Sequence, residues 1–187
     1  RRRRGLLPAD EFLGWTPYAW LVYLVIFLLE PAARWHAGSI TAVYAATTAI
    51  GLAVFLASYF RGFWARGREL LLLIAFQALL GVVFAPVNLG SSVFFIYAAS
   101  FAANIERYGV GALVIGAVAL TGFLTSWATE APLFFWIAAV GFPLLIGFVS
   151  LHQTQVRRTN VKLRLAQEQI EHLAAVAERE RIARDRH

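Results

Sequence analysis

Side chains that could do chemistry are few in this sequence. It contains no cysteine, which excludes thiol catalysis and thiolate metal sites. None of His36, His152 and His172 has a second histidine or carboxylate at a metal-ligand spacing, so we expect no metal site. The fourth histidine, His187, ends the segment 178–187, which reads E-R-E-R-I-A-R-D-R-H. Histidine is a nucleophile and proton acceptor near neutral pH, so this segment is the first candidate for chemistry.

The chain has a net charge of +6, which makes nucleic-acid binding a hypothesis to consider. The charge pattern of the same segment argues against it. Acidic and basic residues alternate along residues 178–186. Alternating signs favour a solvated helix with pairs three and four residues apart over a phosphate-binding stripe. We therefore expect no nucleic-acid partner.

A long helix is predicted to carry this segment, because residues 152–187 contain neither glycine nor proline. Apolar residues follow a 3-4-3-4 spacing along it, a heptad seam suited to a parallel partner helix. The seam consists of Leu163, Ala166, Ile170, Leu173 and Ala177. It spans fewer than three heptads and includes two alanines, so we expect a marginal, switchable coiled coil in a homodimer.

Upstream of this helix the composition is that of a membrane protein. Over the whole chain 59% of the residues are apolar, 15% are charged, and the mean hydropathy is +0.63. These values exclude an ordinary cytosolic enzyme core and a disordered segment, and the missing cysteines exclude a disulfide scaffold. Six apolar runs are candidates for membrane spans: residues 12–29, 40–60, 70–85, 89–105, 110–127 and 133–151. The third and fourth are separated by a predicted turn at Pro86, Asn88 and Gly90.

The orientation follows from lysine and arginine. With both termini cytoplasmic, sixteen of the seventeen basic residues lie inside and Arg34 alone lies outside. The arginines at residues 1–4 could also begin a secretory signal, with a weak cleavage region at residues 31–33. The long apolar run argues against cleavage, which would leave five spans.

Four features of the spans concern function and packing. No ionisable group lies at mid-membrane, since glutamates such as Glu30 lie at span ends, which disfavours a transporter. Gln77 is expected to form an interhelical hydrogen bond, with ligand binding as the alternative. The alanines at 45, 49, 53 and 57 predict a packing face within the bundle, with a dimer contact or a switching surface as alternatives. Gly141, Pro143 and Gly147 predict a weakened or kinked last span, where a motion could be transmitted.

Residues 178–187 resemble the phosphoacceptor motif of sensor histidine kinases, specifically the dimerisation-and-phosphoacceptor subfamily with the pattern E-R-x-R-I-A-R-D-x-H. The matching positions before the histidine are Glu178, Arg179, Arg181, Ile182, Ala183, Arg184 and Asp185. Together with the six spans and the charged linker, the motif is similar to the DesK-like group, whose members sense the state of the membrane.

The resemblance implies a role for each part of the chain. His187 would accept the γ-phosphate of ATP, and a response regulator of the NarL/FixJ type would receive it. ATP and Mg²⁺ would bind a separate catalytic domain, so this chain would not be active alone. Ile182 and Ala183 would lie in the bundle core, while Arg186 departs from the commoner leucine.

The sequence thus predicts an all-α polytopic bundle in the bacterial inner membrane, followed by a long cytoplasmic signalling helix. The expected divisions are a sensor domain at 1–151, a coiled-coil linker at 152–177, and the start of the phosphotransfer helix at 178–187. The predicted signal is lipid order, lipid thickness or a small apolar ligand. The competing hypothesis is a non-enzymatic membrane protein, such as a transporter subunit or scaffold, with a basic helical tail.

Overall fold

Every regular element between residues 14 and 185, the part of the chain that this computed structural model describes, is a helix. Two units are distinguished by their internal contacts, Arg1–Leu151 and His152–His187. The α-helices are α1 (Thr16–Trp20), α2 (Leu24–His36), α3 (Ala42–Gly62), α4 (Gly67–Phe84), α5 (Val93–Ala102), α6 (Tyr108–Ala128), α7 (Leu133–Trp136) and α8 (Phe142–Asp185). Short 3-10 helices at Leu21–Tyr23 and Leu89–Ser92 and a π-helix at Ile137–Gly141 connect some of them.

Five stretches of helix in the described range are long and apolar enough to cross a membrane. They are Thr16–His36, Ala42–Gly62, Gly67–Phe84, Tyr108–Ala128 and Leu133–Arg179. The six predicted spans are therefore not confirmed. The fourth, expected at residues 89–105, is a shorter apolar helix, Leu89–Ala102. It ends early because the backbone tightens into turns in which the Asn104 and Ile105 N–H groups bond carbonyls three residues back.

The short helix α5 lies at the centre of the first unit. Nine of its ten residues are buried, which suits a helix that is apolar on every side. Phe94 and Tyr97 pack on Phe55 of α3, with ring centroids 4.9 and 4.8 Å apart. On the side of α4, the ring of Phe95 lies directly over Gly81. The fourth predicted span is thus an internal core element in this unit.

The first helix is interrupted, and two tyrosines from the core stabilise the interruption. The backbone tightens into a 3-10 helix at Leu21–Tyr23, whose N–H groups bond carbonyls three residues back. The carbonyls of Pro17 and Trp20, just before it, each accept a hydrogen bond from a tyrosine of the core. The Tyr59 hydroxyl donates to the Pro17 oxygen at 2.6 Å. The hydroxyl of Tyr97 donates to the oxygen of Trp20 at 2.7 Å. These bonds tie the first helix to α3 and α5.

The prediction that the alanine face of α3 packs within the bundle is wrong, while its alternatives, a dimer contact or a switching surface, stay predictions. Ala45, Ala49, Ala53 and Ala57 are all exposed. The buried face of α3 is instead lined by Tyr44, Thr48, Gly51, Phe55, Ser58, Tyr59 and Gly62. The reason is aromatic packing: the Phe84 ring covers Gly51 and the Phe101 ring covers Gly62, where a side chain would overlap the ring.

Large apolar side chains cover the outside of the first unit, while several polar side chains are buried. Leu72 is 70% exposed and Leu113 is 75% exposed, whereas Gln77 and Ser126 are fully buried. A water-soluble unit would rarely expose so much apolar surface. This distribution and the long apolar helices indicate that the first unit is embedded in a membrane.

Candidate functional site

The phosphoacceptor candidate itself, His187, lies outside the described residues, as does Arg186. Helix α8 runs through Asp185, so the motif preceding His187 is helical. The side chains of Glu178, Arg179, Arg181 and Ile182 are exposed on it. Arg181 forms an ion pair with Glu178 three residues earlier, with an N–O distance of 2.8 Å. Of Ala183, Arg184 and Asp185 the structure describes the helical backbone.

The linker seam is an exposed apolar stripe on one side of α8. Ile170 and Leu173 are each 67% exposed and Leu163 is 63% exposed. Ala166 and Ala177, the two alanines of the seam, are exposed as well. Apolar side chains that recur on one face of a helix favour contact with another apolar surface.

The last apolar helix of the first unit is irregular just before Pro143. The Phe142 N–H bonds the carbonyl of Ile137, five residues back, which is the hydrogen bond of a π-helix. Pro143 has no N–H, so it offers no donor to the carbonyl of Ala139, four residues back. That carbonyl lies against Gly122 of α6, so close that a Cβ atom on Gly122 would overlap it.

The two glycines predicted to weaken this helix occupy different surroundings. A Cβ atom on Gly141 would have its nearest neighbour, a methyl carbon of Ile137, 4.0 Å away. A Cβ atom on Gly147 would lie 2.9 Å from a methyl carbon of Ile115 and 3.2 Å from the Cβ of Ala99. Gly147 therefore serves close packing against α5 and α6, whereas the irregular backbone lies at Ile137–Gly141.

The predicted interhelical hydrogen bond of Gln77 is absent. Its side chain is fully buried in α4, and neither its amide nitrogen nor its amide oxygen has a hydrogen-bond partner. The hydroxyls of Thr121, Thr125 and Ser126 donate to carbonyls four residues back within α6. Hydroxyls satisfied inside their own helix are not available to line a polar pathway between helices.

A polar cluster at the α4–α5 connection was only partly foreseen. Asn88 was predicted as part of a turn, and its side-chain oxygen indeed accepts from the Gly90 N–H at 2.8 Å. Its amide also donates to the Phe27 carbonyl of α2 at 2.9 Å. Glu30, predicted as a charge at a span end, accepts from the Leu89 N–H at 2.7 Å.

Arg34 extends this cluster towards α3. Its guanidinium donates to Glu30 at 2.7 Å and lies 4.4 Å from the centre of the Tyr44 ring. Glu30 and Arg34 belong to α2, which continues to His36 instead of ending at Leu29 as predicted. The spacing of four residues between Glu30 and Arg34 indicated a helical pair, but nothing in the sequence indicated the contact with Leu89.

Among residues 14–185, no group of three or more histidine, aspartate or glutamate side chains could hold a metal ion. Comparison with models of known protein families found no match, and searches of curated proteins and of solved structures found none either.

Proposed function

We propose that this chain is the membrane sensor region and signalling helix of a two-component sensor histidine kinase. The observation that carries the proposal is the sequence of residues 178–187, which resembles the phosphoacceptor motif of the DesK-like group. Residues 178–185 lie on α8, which also carries the exposed apolar seam. This supports the proposal, because a phosphoacceptor helix must pair with a second copy and remain accessible to its partners.

In the proposed reaction a ring nitrogen of His187 attacks the γ-phosphorus of ATP. The bond from that phosphorus to the oxygen bridging the β- and γ-phosphates breaks, ADP leaves, and a nitrogen–phosphorus bond forms. The imidazole proton passes to a base, which in the family is the acidic residue after the histidine. The phosphoryl group then passes to a response regulator. ATP and Mg²⁺ belong to a catalytic domain, and no residue of this chain is assigned to them.

The proposed topology places both termini on the cytoplasmic side of a bacterial inner membrane. It requires six crossings, which means that Leu89–Ala102 crosses together with the five longer helices. The distribution of lysine and arginine supports this orientation. The tail would leave the membrane near Arg157 and Arg158, which suits contact with anionic headgroups.

The proposed signal is lipid order, lipid thickness or a small apolar ligand. A change in packing at Ile137–Gly141 would alter the pairing of the seam in α8 and thereby reposition His187. The support for this path of transmission is the π-helical segment Ile137–Gly141, which packs on Gly122. A regular α-helix is an alternative conformation close to that of such a segment, so the segment is suited to switch between two states.

ATP-dependent phosphorylation of the complete gene product in lipid vesicles tests the proposal. We expect the wild type to be labelled and His187→Gln to lose the label. His172→Gln is the matched control, because His172 is an exposed histidine on α8 and its replacement should keep the label. Label that survives His187→Gln, or a folded wild type that takes no label, would leave the non-enzymatic membrane protein as the better hypothesis.

A further inference from the structure

A cavity of about 250 Å³ lies where α4 and α6 begin. Arg66 directly precedes α4 and Arg107 directly precedes α6, and both line the cavity. The connection between α5 and α6 completes the lining. The cavity is thus placed at one end of two candidate membrane helices, where apolar and polar surroundings meet.

The charge of this cavity is predominantly positive. The Arg66 guanidinium donates to the carbonyls of Phe63 and Ala65, at 3.3 and 2.9 Å, which holds it at the turn before α4. The backbone carbonyl of Arg107 accepts from the Gly111 N–H at 2.9 Å, whereas its guanidinium has no hydrogen-bond or ion-pair partner among the described residues. Glu106 is the acidic residue of the lining, so two positive charges face one negative charge.

The cavity also has an apolar part, about one helical turn further along the chain from each arginine. Leu70 and Leu71 follow Arg66 in α4, and Val110 follows Arg107 in α6. Leu70 is 2% exposed, whereas Leu71 is 41% exposed on the outer surface of α4. The lining therefore pairs cationic groups at the helix ends with apolar groups deeper in the candidate spans.

We propose that this cavity binds an anionic phospholipid, with the phosphate between Arg66 and Arg107 and an acyl chain along Leu71. Guanidinium groups bind phosphate oxygens through charge-assisted hydrogen bonds, and basic pockets between membrane helices suit anionic headgroups. The apolar part selects a lipid over a soluble phosphate, because a soluble ion gains nothing from contact with Leu71. This inference does not depend on kinase activity.

Lipid retention by the full chain tests the proposal. The chain is reconstituted in nanodiscs that contain phosphatidylcholine and phosphatidylglycerol. Native mass spectrometry then releases the protein from the nanodisc in the gas phase and identifies the lipids that stay bound to it. We expect the wild type to prefer phosphatidylglycerol. Arg107→Gln and, separately, Arg66→Gln should each lower that preference about fivefold or more. Arg68→Gln is the matched control, because it removes the same charge at an exposed position outside the lining.

Arg107 is the better first variant, because it is exposed and unpaired and its replacement should leave the melting temperature unchanged. Three results would overturn the proposal: no preference in the wild type, an unchanged preference in both lining variants, or an equal loss in Arg68→Gln. A further arm adds soluble glycerol phosphate to the wild type. Displacement of the bound lipid at low concentration would assign the site to a soluble phosphate instead.

Discussion

At the scale of single residues, Gly122 marks a close approach between α6 and the π-helical segment Ile137–Gly141. We expect Gly122→Ala to lower the free energy of unfolding by about 1–3 kcal/mol, because its methyl group would overlap the Ala139 carbonyl. Gly116→Ala is the matched control on the same helix, since a Cβ atom there meets nothing within 4 Å. It should be neutral or stabilising by up to about 1 kcal/mol. Thermal unfolding in one detergent compares the two variants.

A second residue-scale prediction concerns the hydroxyl of Tyr97. Tyr97→Phe removes the hydroxyl that donates to the Trp20 carbonyl, directly before the 3-10 helix Leu21–Tyr23. We expect a loss of about 1 kcal/mol in the free energy of unfolding, because this part-buried carbonyl loses a hydrogen-bond donor. Tyr108→Phe, at a residue that is 50% exposed, should change stability little. Equal effects of the two substitutions in chemical denaturation would contradict this role.

Single residues were also where prediction from sequence was weakest. The exposed alanines of α3 and the unpaired amide of Gln77 show why. A spacing of four residues defines a helix face, but it does not say which neighbour that face meets. In α3 the buried face is determined by two large aromatic rings. The rings of Phe84 and Phe101 fit only over glycines, so the side of α3 that carries Gly51 and Gly62 is buried. Those contacts join residues 33 and 39 positions apart in the chain, at Gly51–Phe84 and Gly62–Phe101.

At the scale of elements, the seam on α8 makes a prediction about pairing between copies. The chain has no cysteine, so single cysteine variants report one position each. If two copies pair in parallel along the seam, Leu173→Cys should cross-link through oxidation several-fold faster than Glu171→Cys. Both positions are exposed, so accessibility does not favour either. Equal rates in vesicles would show that the seam is not the contact surface.

Element boundaries could be predicted where local chemistry sets them. Pro86 and Asn88 were expected to separate two helices, and α4 ends at Phe84 while Asn88 caps the next turn. The first span was predicted to end at Leu29, where the apolar run ends, whereas α2 continues through Pro31 to His36. Hydropathy could not show that the fourth predicted span is a short internal helix. A helix buried inside the unit and a helix in contact with lipid are both made of apolar residues, so their hydropathy is the same.

At the scale of the whole molecule, the lengths of the candidate spans bear on the proposed response to lipid thickness. Helices α3 and α6 each have 21 residues, whereas α4 has 18, about 27 Å at the usual rise. The shorter helix at Leu89–Ala102 is almost wholly buried apart from Leu89, so it offers little surface to lipid. Mismatch with a bilayer core of about 30 Å would therefore act mainly through α4, whose Leu72 and Leu79 are exposed.

If the chain belongs to a kinase that senses thickness, phosphorylation of His187 should differ between short-chain and long-chain phosphatidylcholine vesicles. Mismatch costs fractions of a kcal/mol per Å, so a difference of a few Å shifts an equilibrium by about 1 kcal/mol, which is a roughly fivefold change in label. The headgroup is the same in both vesicles, so the cavity between Arg66 and Arg107 is not differently occupied. His187→Gln gives the background in each lipid. The same label in both lipids would reject thickness and turn the search to lipid order and small apolar ligands, since neither requires a mismatched helix.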